Sequence, residues 1–165
     1  MIKPLFQKLI VAVNGSERSI HAAMYAILMA KQYKCELKAI YVVDTATIRQ
    51  LTLSKFFISE ESADYEASLE SDGKRYLEYV TELAKQKGVK IETELRRGAI
   101  FSEIIKAADD YKASAILLGG KEHETAFSGN SHDTISENNG DIIANARCNV
   151  LVVREPNIEK LFKIA

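Results

Sequence analysis

Apolar residues along the chain switch repeatedly between two periods. Leu9-Ile-Val-Ala-Val13 is a continuous apolar run of strand length, followed at once by Asn14-Gly15-Ser16. Ser16 is a natural N-cap, and Ile20, Ala23, Met24, Ile27 and Leu28 then recur on one helical face. Leu37 to Val43 is a second strand, ending at Asp44. From Asp44 to about Glu60 the pattern is mixed. Ile48, Leu51, Leu53, Phe56, Phe57 and Ile58 are too apolar for a free linker, so a short helix or a lid is expected. Glu61 to Lys87 carries both charge signs and reads as a helix with a solvated face. Its apolar side holds Leu69, Tyr76, Leu77, Val80, Leu83 and Ala84, and Gly88 stops it in a left-handed turn.

Val89, Ile91, Thr93 and Leu95 alternate with polar residues, as in a strand near a sheet edge. Gly98 turns into a helix from Ile100 to Tyr111, with Ile100, Ile104, Ile105 and Ala108 at helical spacing. Ala115 to Leu118 is a fully buried strand that ends in Gly119-Gly120. A polar loop from Lys121 to about Asp133 follows. Thr134 and Glu137 read as a capping box opening a helix to about Ala146. Val150 to Val153 is the last strand, and Pro156 closes a domain of residues 1–156 before a tail of 157–165. Five strands separated by helices make parallel units with right-handed crossovers, hence an α/β three-layer sandwich on a five-stranded parallel sheet.

Length and composition narrow this further. At 165 residues, 47% of them hydrophobic and 27% charged, the chain has the make-up of one soluble domain with a sufficient core. A net charge of −1 lacks the basic excess that phosphate backbones or anionic membranes require, so no nucleic acid and no membrane is expected as partner. No apolar run reaches the ~18–20 residues of a membrane span. The polar start, Met1 to Lys8, is unlike a secretory leader, so a cytoplasmic location is expected. Cys35 and Cys148 sit beside apolar runs and read as packed free thiols.

Ligands of open parallel sheets bind at the carboxyl ends of strands, where the strand order reverses. Two turns carry suitable residues. Asn14-Gly15-Ser16 presents backbone N–H groups at a helix start, where the dipole favours an anion. Gly119-Gly120-Lys121 lacks side chains that would block a close approach, and Lys121 adds a cation. Glycine at a strand end also serves simply to turn, and that reading stands beside the first.

With these residues in place, a resemblance emerges. Leu9-Ile-Val-Ala-Val-Asn-Gly-Ser-Glu17 resembles the first strand and turn of the universal stress protein family, usually VAVDGSE. Ile40 to Asp44 is similar to its second-strand ending, Ala115 to Gly119 to its fourth strand, and Ala146 to Arg154 to its closing APCPVLVVR. The resemblance runs in order over about residues 6–155. It implies the adenine nucleotide alpha hydrolase-like fold with strand order 3-2-1-4-5, which brings the two turns together. It also implies a homodimer, commonly through the last strand, here Val150 to Val153.

Many members of that family bind ATP through G-x-x-G-x9-G-[ST] after the fourth strand. Gly119 matches the first glycine, but Glu122 stands at the second. Counting back from Cys148 puts Ser136 at the third glycine and Glu137 at the Ser/Thr, in a loop about four residues too long. Two glutamates there would repel phosphates at close range. Gly129-Asn-Ser131 has the x9 spacing from Gly119 and offers an alternative anion nest. Asn14 stands where ATP-binding members carry Asp, and Val42 matches the residue lining the adenine pocket. The candidate site is therefore Ala12, Asn14, Ser16, Val42, Leu118, Gly119, Gly120, Lys121 and Ser136. ATP or another adenine nucleotide is its candidate ligand, and no cofactor is assigned.

No nucleophile elbow and no ordered Ser/His/Asp set occurs, so no catalytic residue is assigned. His123, Glu124, His132 and Asp133 share one loop, but their spacing matches no metal-ligand pattern and reads as solvated chain. His21 reads as a surface or interface residue. Tyr33, Tyr65, Tyr76 and Tyr79 read as packing residues with a wet hydroxyl. Leu161, Phe162 and Ile164 in the tail are apolar enough to pack on their own domain or on a partner. The functional expectation is a stress-response regulatory or interaction protein with a degenerate nucleotide motif and an unidentified protein partner. The alternative is an ATP- or AMP-binding switch with at most slow ATP hydrolysis.

Overall fold

The computed structural model describes residues 2–54, 59–120 and 134–165. In chain order the elements are β1 (Lys8–Ala12), α1 (Glu17–Tyr33), β2 (Glu36–Asp44), α2 (Thr45–Leu53), α3 (Ser59–Gln86), β3 (Ile91–Gly98), α4 (Ile100–Tyr111), β4 (Ala115–Gly119), α5 (Thr134–Asn145), β5 (Asn149–Val153) and α6 (Ile158–Ile164). The strands form one parallel sheet in the order β3-β2-β1-β4-β5. This is the expected fold and strand order. Both flanks are covered because successive residues of each strand point to opposite faces. Leu9, Val11, Leu37, Ala39, Tyr41, Val43, Ala115 and Leu117 face a core completed by α1, α3 and α6. Ile10, Ile40, Ile116 and Leu118 face the other, completed by α4 and α5.

Local chemistry sets the element ends. Ser16 Oγ accepts a hydrogen bond from the Ser19 N–H at 3.1 Å and caps α1. Asp44 ends β2 and caps α2, its Oδ1 accepting from the Thr47 N–H at 3.0 Å and its Oδ2 from the Thr47 hydroxyl at 2.7 Å. The stretch after Asp44 is thus a short helix, with Ile48 buried; Phe56, Phe57 and Ile58 lie outside the described residues. Gly88 takes the left-handed conformation, φ +69°, that releases the chain from α3. The loop from Lys121 to Asp133 lies outside the described residues, as do the side chains of the Thr134–Glu137 capping box.

Four details depart from expectation. β3 begins at Ile91 and runs on to Gly98, with Thr93 exposed. Its last residues are held by charge: Arg97 pairs with Glu66 and Glu70 of α3, and Arg96 with Glu94 and with Glu103 of α4. Ion pairs to two helices therefore do at this edge what apolar burial does in the centre. On α4 it is Ala107, rather than Ile105, that is buried with Ile104 and Ala108. Tyr33, Tyr65 and Tyr79 are about half exposed, so only Tyr76 of that group packs closely. The segment after Pro156 is helix α6, whose Ile158 and Phe162 enter the main core. Its neighbours Leu161 and Ile164 stay exposed.

Both thiols are partly buried and unpaired with each other, as read from sequence. Burial raises the pKa of each, which keeps them protonated and poorly nucleophilic. His21 is partly exposed where two helices meet. Its side chain is largely covered at the α1–α6 junction, with Nε2 3.0 Å from Glu159 Oε1.

Helix α3 packs on the sheet through Leu77, Val80, Leu83 and Ala84, and approaches it closely at one glycine. An ideal Cβ at Gly73 would stand 2.4 Å from Cδ1 of Tyr41, whose ring is buried and stacked at 6.2 Å on Tyr76. Helix propensity favours Gly73→Ala by up to about 1 kcal/mol. Displacing a buried ring costs about 1–3 kcal/mol, so overpacking wins. Gly73→Ala is expected to lower the urea midpoint, and an unchanged or raised midpoint would show that α3 does not seat on Tyr41.

Candidate functional site

Strand β1 lies between β2 and β4: the chain runs from β1 outward through β2 and β3, then crosses back to β4 on the other side of β1. The crevice between the ends of β1 and β4 is the switch point of the sheet. Three apolar candidates meet on its α4–α5 face. Leu118 is buried there, and Ala12 and Val42 pack partly buried against the same cluster. They form a floor at the ends of β4, β1 and β2, where a flat apolar ring could lie.

Beside that floor, the turn after β1 is ordered by its own side chains. Val13 N–H donates to the Ile40 carbonyl at 2.8 Å and carries the β1–β2 ladder one residue past the strand. Asn14 Oδ1 accepts from the Ser16 N–H at 2.9 Å, and the Asn14 N–H donates to Ser19 Oγ at 3.2 Å. Gly15 has φ +83°, and a Cβ there would stand 2.5 Å from the Tyr76 ring. Two demands therefore fix glycine at this position: the backbone conformation and the tyrosine from α3. Ser19, fully buried, also donates its hydroxyl to the Ser16 carbonyl. The N–H groups of Gly15, Glu17 and Arg18 have no partner among the described residues. They are the orphan donors of a helix start, at the positive end of its dipole.

The second turn meets the first directly. An ideal Cβ on Gly119 would lie 2.6 Å from the Arg18 carbonyl carbon and oxygen and 2.8 Å from Ser19 N. The close approach that Gly119 permits is thus made by the chain's own helix α1. Gly120 donates its N–H to the Val153 carbonyl at 3.1 Å, tying this turn to β5. Asn139 of α5 donates from Nδ2 to the Gly119 carbonyl at 2.9 Å. Of the candidate set, the structure brings Ala12, Asn14, Ser16, Val42, Leu118, Gly119 and Gly120 to one end of the sheet. Lys121 and the Ser136 side chain lie outside the described residues, as do His123, Glu124, His132 and Asp133.

Four contributors escaped the sequence reading. Tyr76 walls the Gly15 turn from α3, and Asn139 anchors α5 to the end of β4. Arg18 and Arg154 flank the glycine pair, and neither has a hydrogen-bond or ion-pair partner among the described residues. Arg154 Cγ lies 3.3 Å from the place a Cβ on Gly120 would take. Arg18 follows Glu17 in a helix start that reads as ordinary, and only the fold sets it beside Gly119.

These contacts separate the two glycines. Gly119→Ala drives a methyl into backbone atoms that cannot rotate away, and is expected to cost about 1–3 kcal/mol in urea unfolding. Gly120→Ala meets atoms at 3.2 Å or more and should cost under about 1 kcal/mol. Equal losses would show that α1 is not seated on Gly119.

Comparison with known proteins agrees with this geometry. The model of the universal stress protein family matches residues 5–154. Universal stress protein MJ0531 of Methanocaldococcus jannaschii is 34% identical over 157 residues, covering 94% of this chain and 86% of its own. Universal stress protein YxiE of Bacillus subtilis is 28% identical over 152 residues, 91% of this chain and all of its own. Among solved structures, a universal stress protein family member from Burkholderia pseudomallei superposes with a TM-score of 0.69 at 20% identity, covering 92% of this chain and 98% of that one. The Archaeoglobus fulgidus universal stress protein in complex with dAMP gives 0.62 at 15% identity, covering 92% and 100%. A universal stress protein family protein of Arabidopsis thaliana with AMP bound gives 0.62 at 16%, covering 92% and 94%. The family match spans both turns of the switch point and all five strands: the chain belongs to the universal stress protein family.

Proposed function

We propose that this chain is a non-enzymatic regulatory or interaction protein of a stress response, and that its switch point accepts an adenine nucleotide with a short phosphate chain. The observation that carries this reading is the pairing of two surfaces at one sheet end. The apolar floor of Ala12, Val42 and Leu118 suits a purine ring. The N–H groups of Gly15, Glu17 and Arg18 beside it, without a partner among the described residues, suit one phosphate. AMP and dAMP are the bound nucleotides named for two of the structural neighbours. Glu122 and Glu137, at the motif positions that should be Gly and Ser/Thr, oppose a triphosphate. A second reading is an ATP-binding switch with slow hydrolysis, and Arg18 and Arg154, beside the glycine pair and without an ion-pair partner among the described residues, favour it.

Calorimetry with AMP, ADP and ATP, the last two with Mg²⁺, separates the readings. AMP should bind at least tenfold more tightly than ATP, and Val42→Arg should abolish its binding. Tighter binding of ATP, or near-stoichiometric ATP released from freshly purified protein by denaturation, would favour the switch. No binding of any of the three would remove the nucleotide and leave a scaffold that acts through a protein partner.

The proposed protein acts in the cytoplasm as a homodimer joined at β5. β5 pairs with β4 on one side, and its other edge has no strand partner among the described residues. Edges of this kind invite pairing with a second chain. Light scattering should give a dimer, and Val152→Pro should shift it toward monomer. A wild-type monomer at tens of micromolar would rule out this arrangement.

A further inference from the structure

Away from the switch point, three metal-ligating side chains meet where α6 packs on α1. Glu17 and His21 lie one turn apart on the same face of α1, and Glu159 reaches them from α6. His21 Nε2 is 3.0 Å from Glu159 Oε1 and 3.8 Å from Glu17 Oε1. One ligand atom from each residue lies within 4.8 Å of the others. A tetrahedral ion with bonds of about 2.0–2.1 Å holds its ligand atoms about 3.4 Å apart. The three atoms bracket that spacing. Glu17, mostly exposed, is free to swing inward, and the His21–Glu159 pair need open by only a few tenths of an ångström.

We propose that Glu17, His21 and Glu159 form a binding site for a divalent transition ion of the zinc type, which fastens α6 to the first turns of α1. Two further observations support it. The imidazole is held in place, since its side chain is only 15% exposed and Nδ1 is buried without a partner. Nε2, already in contact with Glu159, is the ring nitrogen that faces both carboxylates. Neither carboxylate has a Lys or Arg ion-pair partner among the described residues, and His21 is the group both of them face. An imidazole among the ligands selects zinc-like ions over calcium or magnesium, which take all-oxygen sets. The buried Nδ1 lacks the acceptor that usually strengthens a histidine ligand, and solvent completes the coordination. Micromolar rather than nanomolar affinity follows. Glu17 adjoins Ser16, so an ion here is tied through one residue to the turn that ends at the switch point.

The test uses the full chain, stripped with a chelator and dialysed. Zn²⁺ titration by calorimetry should show one ion per chain with a Kd in the micromolar range, and Co²⁺ should give the visible absorption of a four-coordinate site. His21→Ala and Glu159→Gln should each weaken binding at least tenfold. Glu159→Gln keeps a hydrogen-bonding partner for His21, so circular dichroism should show it folded. The double variant His123→Ala, His132→Ala removes the other two histidines and should bind as wild type does. No uptake at 100 micromolar Zn²⁺, uptake unchanged in Glu159→Gln, or uptake lost in the loop variant would each overturn the site.

Discussion

The first turn of α1 rests on the end of β4 with no side chain between them. Arg18 and Ser19 approach Gly119 so closely that a single methyl would collide with main-chain atoms. Much else follows from this contact. It fixes where α1 starts relative to the sheet, beside the crevice between β1 and β4. It holds Asn14 and Ser16 in a closed set of hydrogen bonds that needs no ligand to form. A turn built in this way is ordered by the chain's own hydrogen bonds.

The two faces of the sheet then serve different ends. On the α1–α3–α6 face the Tyr41–Tyr76 stack, Gly73 and Gly15 join α3 to the sheet and to the α1 turn. That packing is a matter of shape: glycines stand where rings must fit, and bulk is what would disrupt it. The α4–α5 face is built chiefly on Ile and Leu, and at the ends of β1 and β2 its Ala12 and Val42 are only partly buried. It is the face on which a ring could be received. The strands alternate their side chains, so one short sequence such as Ile40 to Val43 supplies both.

The sheet's two edges contrast in chemistry. At β3 the outer strand carries Arg96 and Arg97, each paired with carboxylates of a flanking helix. Charges of this kind make a poor template for a second strand. At β5 the residues are Asn149-Val-Leu-Val-Val153, aliphatic for most of their length. The α6 helix that follows packs on α1 and places Phe162 in the core, while Leu161 and Ile164 remain outside. The molecule thus has one edge closed by charge and one edge of plain strand chemistry.

Most elements were legible in the linear pattern. The apolar runs of β1, β2, β4 and β5, the Ser16 cap and the Gly88 stop are local signals, decided by residues within a turn of one another. The α4 boundaries, Ile100 to Tyr111, followed from spacing alone. The candidate crevice was legible too, because strand ends and glycines mark themselves. The sequence could not show what each glycine is for. Gly119 reads as an opening for a ligand, and only tertiary packing decided that α1 fills that space. In the same way β3 extended past its apolar alternation because distant carboxylates on α3 and α4 neutralise its arginines. The tail became a core helix because α1 offered a face for Phe162, and His21 met Glu159 across 138 residues of chain. Pattern and propensity act over a few residues, so sequence determined the elements and their order. Close approach and charge pairing act between segments far apart in sequence, so their outcome was settled only when the chain had packed.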